Sequence, residues 1–121
     1  MKYMLLIYNN RATLEGLSEQ DQAELSRDID AIMAELRDRG EFVEGNALAD
    51  PSTAKTVRLR GGAVAATDGP FAEAKEQLAG YITVDCEREE RALEIARRWP
   101  DPRFGGAIEV RALMNESGAE M

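Results

Sequence analysis

The run Tyr3-Met4-Leu5-Leu6-Ile7-Tyr8 is apolar or aromatic at every position. Successive side chains of a strand point to opposite faces, so this segment reads as a strand that must be buried on both sides. A chain of 121 residues holds one domain with a real core. The question is what that domain can put on each face of the strand.

Two segments can supply helices. Ser18 is a ready N-cap, with Glu19 and Asp21 in the first turn, and Leu25, Ile29, Ile32, Met33 and Leu36 follow as one apolar stripe up to Gly40. This predicts a helix over residues 18–39. A second stripe, Ala92, Ile95, Ala96 and Trp99, predicts a helix from Glu87 to Trp99, acidic at its start, basic at its end and stopped by Pro100. It has no Ser or Thr cap, which leaves Asp85 as the available substitute.

Strands are expected at Tyr3–Tyr8, Phe42–Leu48, Tyr81–Val84 and Ala107–Arg111. Thr56–Arg60 and Ala63–Thr67 flank Gly61-Gly62 and form a hairpin, because both central residues of such a turn need positive φ. Asn9 to Gly16 reads as a polar loop, residues 1–114 as a single domain, and 115–121 as a flexible tail. Without the hairpin, the order is β-α-β-β-α-β, the α+β ferredoxin-like arrangement, in which both helices lie on one sheet face. The other face then needs a second copy of the chain, so a homodimer packed sheet to sheet is expected.

Composition narrows the function. The net charge of −8 argues against a nucleic-acid surface. Cys86 is the only cysteine, and the apolar start is too short for a signal or membrane segment, so a cytoplasmic location is expected. There is no histidine, which removes the commonest general base and metal ligand. Gly61-Gly62 and Gly105-Gly106 are turns rather than phosphate loops, and no cofactor or metal is called for.

The ionisable side chains are densest between Thr67 and Tyr81, where Asp68-Gly69-Pro70-Phe71 forces a change of direction. Asp68 is the catalytic candidate, as a general base or polar anchor; its structural alternative is a cap on the N–H of Phe71. Glu73 and Glu76, read as i, i+3 on a helical turn or loop, have the spacing to hold a cation or polar substrate, or simply make a solvated turn. Lys75 suits an anionic substrate or a neighbouring acid. Tyr8 and Tyr81 sit near strand ends, where the ring packs and the hydroxyl can reach a cleft. Glu109 and Arg111 alternate with Ile108 and Val110 and therefore face away from the helices.

Four pieces of the chain also carry a resemblance: residues 1–8, residues 67–81, the acidic-start helix and Gly106–Arg111. Together they resemble the DGPF branch of the YCII-related family. The resemblance implies a dimeric α+β barrel of ferredoxin-like subunits. It also implies one of two functions. Relatives include a dehydrochlorinase acting on a chlorinated hydroxyhydroquinone, which points to a small-molecule enzyme or binder. DGPF domains also occur fused to sigma-factor-like domains, which points to a non-catalytic accessory protein with a sigma-factor-type partner. The His–Asp pair of the wider family has no histidine here to form it.

Overall fold

The computed structural model describes residues 1–121. Six strands and three helices follow one another as β1 (Lys2–Asn9), α1 (Arg11–Glu15), α2 (Glu19–Asp38), β2 (Phe42–Ala47), β3 (Lys55–Arg60), β4 (Ala63–Asp68), β5 (Gln77–Asp85), α3 (Glu89–Arg98) and β6 (Ala107–Ala112). β1, β2, β5 and β6 make one antiparallel sheet in the order β2-β5-β1-β6, while β3 and β4 pair only with each other. With that hairpin set aside, the sheet has the ferredoxin-like order.

Both long helices cover one face. Tyr3 and Leu5 of β1 are buried there with Ile82 and Val84 of β5, Ile32 and Leu36 of α2, and Ala92, Ile95 and Trp99 around α3. The other face follows from the register: Leu6 lies opposite Tyr81 and Glu109, and Asn46 lies opposite Tyr81. Met4, Leu6 and Tyr8 on this face are only half-buried, whereas the sequence places the strand between two covered faces. The reason is geometric, since one chain supplies helices for one side only. On the same face, Thr83 is 2% exposed and its Oγ1 is the one buried side-chain polar atom without a hydrogen-bond partner.

Local chemistry explains most element boundaries. Ser18 caps α2, its Oγ accepting from the N–H of Asp21 at 3.1 Å. Gly61 and Gly62 adopt φ of 57° and 82°, the pair of positive values that a tight hairpin turn requires. Three expectations need correction. Residues 11–15 form a short helix, because the Asn10 side chain accepts from the N–H of Thr13 and caps it. α3 starts at Glu89 without a side-chain cap, and Asp85 is instead paired with the N-terminal amine at 3.2 Å. β5 begins at Gln77, four residues before Tyr81, because pairing with both β1 and β2 continues past Gly80. Beyond β6, Asn115–Met121 turns back on itself: Met121 N–H donates to Leu113 O, and Lys2 N–H donates to Met121 O.

The four-stranded sheet does not contact water evenly. α2 packs tightly only through its C-terminal half, where Ile32 and Leu36 are buried; Leu25 and Ile29 near its start are half-buried. Under that raised end β2 and β5 offer the small residues Gly45, Ala47 and Gly80 on the helix-facing side, beside Ile7 of β1.

Candidate functional site

The 69–76 stretch that follows β4 has no regular structure, so Glu73 and Glu76 do not share a helical face. It is held instead by side chains from elsewhere. Gln77 donates from Nε2 to the carbonyls of Ala72 and Ala74, both at 3.0 Å, and Asn10 Nδ2 donates to Lys75 O at 2.9 Å. Arg58 Nη2 donates to Phe71 O at 2.6 Å and its guanidinium lies 4.6 Å from the centre of the Phe71 ring. Gly69, at φ 98°, makes the reversal possible, and its N–H donates to Ala54 O.

Pinned this way, the stretch walls a cleft of about 790 Å³ at the end of the sheet. Tyr8, Leu78, Glu76 and Gln77 line one side; Leu48 to Pro51 and the base of the hairpin at Lys55, Thr56 and Val57 line the other, with Pro70 and Phe71 at the rim. A second recess of about 710 Å³ lies across the same wall and is lined by Asn10, Arg11, Lys75 and Gln77. Both volumes fall within the range of small-molecule sites.

The predicted site residues are distributed rather than assembled. Tyr8 and Glu76 line the larger cleft and Lys75 lines its neighbour. Tyr81 is elsewhere, its hydroxyl accepting from Asn46 Nδ2 at 3.0 Å. Asp68 ends β4 opposite Lys55 and forms an ion pair with it; its side chain is 86% exposed, it lies outside the lining of the larger cleft, and it does not accept from the Phe71 N–H. Lys55, which does line that cleft, links the two.

Tyr8 is one of the polar residues that line the cleft. Its hydroxyl donates to Glu109 Oε1 at 3.2 Å, and burial, reinforced by that carboxylate, raises the phenol above its ordinary value. At neutral pH Tyr8 is therefore a hydrogen-bond donor rather than a base. Asp50, on the opposite wall, accepts from the N–H of Ser52 at 2.9 Å, and that bond lowers its carboxyl below the usual range. Asn10, Gln77 and Arg58, which fix the wall, were not singled out by sequence reasoning. Gln77 lies within the 67–81 stretch but shows no local signal of a loop-fixing amide, whereas Asn10 ahead of a polar run is a cap signal.

A separate charged cluster lies at the far side of α3. Arg91 is bonded to Glu35, Glu41 and Glu94, and Arg98 to Glu35 at 2.7 Å. It joins α2, the turn before β2 and α3, and is structural in its geometry: every acid has a committed guanidinium.

The fold and the pinned 67–81 stretch define a small antiparallel α+β domain of ferredoxin-like order, with a cleft at the sheet end. The sequence profile of the YCII-related domain matches residues 1–117. The uncharacterized protein R00369 of Rhizobium meliloti (strain 1021) is 32% identical over 114 residues, which span 93% of this chain and 92% of that protein. The chain belongs to the YCII-related family. No helix is long and apolar enough to cross a membrane.

Proposed function

We propose that the protein is a cytoplasmic small-molecule-binding homodimer whose ligand cleft lies where the 67–81 stretch meets the ends of β1 and β5. The observation that carries this reading is the placement of Tyr8. A half-buried phenol, hydrogen-bonded to Glu109, stands in the lining of a mainly apolar cleft of about 790 Å³. An apolar floor with a few fixed polar groups suits a compact aromatic or hydroxylated metabolite. With its proton donated to Glu109, the Tyr8 oxygen accepts one hydrogen bond from the ligand, and Glu76 and Lys55 offer charge at the edge.

Dimerisation rests on the open sheet face. Met4 and Leu6 on that face lack a cover, and the edge strands bring Glu44 and Arg111, charges of opposite sign, on either side of Thr83 and Met4. A two-fold axis that sets one copy against the other can pair these edges while the apolar centres meet. The unpartnered Thr83 hydroxyl lies in the same patch.

The test is a thermal-shift screen with aromatic and polyhydroxylated metabolites, followed by Tyr8→Phe and Leu78→Trp. A binder should raise the melting temperature of the wild type, lose affinity in Tyr8→Phe and fail in the filled variant Leu78→Trp. A hit whose affinity neither substitution changes would place binding elsewhere and refute this site.

A further inference from the structure

The recess beneath the raised end of α2 is separate from the cleft at the sheet end. It measures about 390 Å³, and its walls are Leu25, Ile29 and Met33 from α2, with Ile7 and Phe42 from the sheet. Its floor is made by Gly45, Ala47 and Gly80. The floor cannot be raised by larger residues: a Cβ on Gly80 would lie 2.8 Å from Asn46 O, and one on Gly45 would lie 2.9 Å from Tyr81 O. Both glycines are dictated by the close approach of neighbouring strand backbone, and the floor of the recess stays low as a result.

One acidic group belongs to the lining. Asp101 is 3% exposed and its Oδ2 accepts a hydrogen bond from Asn9 Nδ2 at 2.8 Å, with Asn9 also in the lining. Asp101 takes part in no ion pair. Arg103, its nearest cation in sequence, is committed to Glu24 and Asp28, and Arg37, at another point of the recess, stacks over Phe42 at 5.1 Å. A carboxylate has about four acceptor positions, and a neutral amide occupies one here. Removing such a group from water without a counter-charge is costly, and an incoming cation offsets that cost.

We infer that this recess is a second binding site, for a small apolar molecule that carries a primary ammonium group. The aliphatic or aromatic body lies against Ile29, Met33 and Phe42, and the ammonium bonds to Asp101. Asn9 orients the carboxylate from the other side. The Phe42 ring is already taken by Arg37, so the carboxylate is the cation's partner. The site needs neither the irregular 69–76 segment that walls the cleft nor a second copy.

Benzylamine and benzyl alcohol are matched probes, nearly identical in shape and different in charge. Titrations at neutral pH should be followed by NMR of the Leu25, Ile29 and Met33 methyls, in about 0.3 M salt so that diffuse attraction to the chain's charge of −8 is screened. Benzylamine should bind at least about tenfold more tightly than the alcohol, as a charge-assisted hydrogen bond warrants. Asp101→Asn should erase the difference, and Met33→Trp, which fills the recess and leaves Asp101 in place, should abolish binding of both. Equal affinity of the two probes, a preference that survives Asp101→Asn, or shifts spread over the acidic surface instead of these methyls would overturn the assignment. If Asp101→Asn does not fold, the probe comparison in the wild type and in Met33→Trp decides alone.

Discussion

Arg91 on α3 closes a fork on Glu41 in the turn before β2: Nε lies 3.0 and 3.2 Å from the two carboxylate oxygens, and Nη2 lies 2.8 Å from one of them. The side chains are 12% and 11% exposed, so the pair is largely out of water. Two more donor bonds from the same guanidinium reach Glu35 Oε2 at 2.8 Å and Glu94 Oε1 at 3.0 Å. A single side chain thus ties both long helices to the sheet.

Replacing Arg91 by Ala leaves Glu41, in a site with little water, only the exposed Arg39 at 3.2 Å as a partner. Breaking one side of a buried pair costs more than the pair contributes, and the expected loss is about 3 kcal/mol. Arg91→Lys should recover only part of it, because an ammonium cannot reproduce the two-pronged geometry. Urea unfolding checks this: the midpoint falls while the slope stays constant. A midpoint unmoved by Arg91→Ala would show that the fork contributes nothing.

The same cluster sets an acid limit. Arg98 first, then Arg91, lower the Glu35 carboxyl from 4.5 to about 2, and Arg91 lowers Glu41 as well. Both acids bind their protons less readily in the folded state than in the unfolded one. Their contribution is therefore complete above pH 4.5 and is lost as pH falls towards 2. Melting temperatures from circular dichroism should decline across that window, and Glu35→Gln should make the decline shallower. A curve of the same steepness in that variant would assign the acid transition to other groups.

Gly80 is an internal strand glycine whose Cβ would meet Asn46 O at 2.8 Å and Ala47 Cα at 3.2 Å. Backbone atoms of β2 cannot yield as a flexible side chain can, so Gly80→Ala must push β2 outward. The expected cost is about 1–3 kcal/mol, as for other overpacked sites. Faster amide exchange in β2 than in β6 would locate the damage, and uniform exchange across the sheet would contradict it.

Asp68→Asn removes one end of an ion pair whose members are 68% and 86% exposed. Surface pairs of this kind contribute little, so the unfolding midpoint should scarcely move. The sharper readout is ligand affinity. Because Lys55 lines the cleft and is tied to Asp68, freeing that lysine should strengthen binding of anionic ligands relative to neutral ones. An unchanged ratio would leave Asp68 with no part in the cleft.

Strand order, both long helices and the glycine hairpin were legible because each depends on local rules: periodicity, capping and positive φ. The face assignment of Glu109 and Arg111 was legible for the same reason, since alternation along a strand is local. What stayed hidden depends on pairs distant in sequence. The Leu25–Leu36 stripe looks uniform, and only the small residues Gly45, Ala47 and Gly80 opposite it explain why its start stands off the sheet. Arg91 sits next to Ala92 in a charged run and gives no sign of its bond to Glu41, 50 positions away. The candidate site was half legible. Residues 67–81 do wall a cleft, but Asp68 pairs with a lysine contributed by the neighbouring strand, and Tyr81 turns to Asn46.

Leu6 tests the proposed dimer most directly, because it lies at the centre of the open face with Tyr81 on one side and Glu109 on the other. Leu6→Lys places a cation opposite Glu109, a favourable cross-strand neighbour in an isolated chain, so the subunit should still fold. In a sheet-to-sheet dimer the same lysine must be buried beside its symmetry mate, which no local pairing offsets. Light scattering should give twice the 13.4 kDa chain mass for the wild type and the single-chain mass for Leu6→Lys, with unchanged circular dichroism. A wild type that runs at the single-chain mass at micromolar concentration would remove the dimer, and a Leu6→Lys variant that stays dimeric would move the interface off this face.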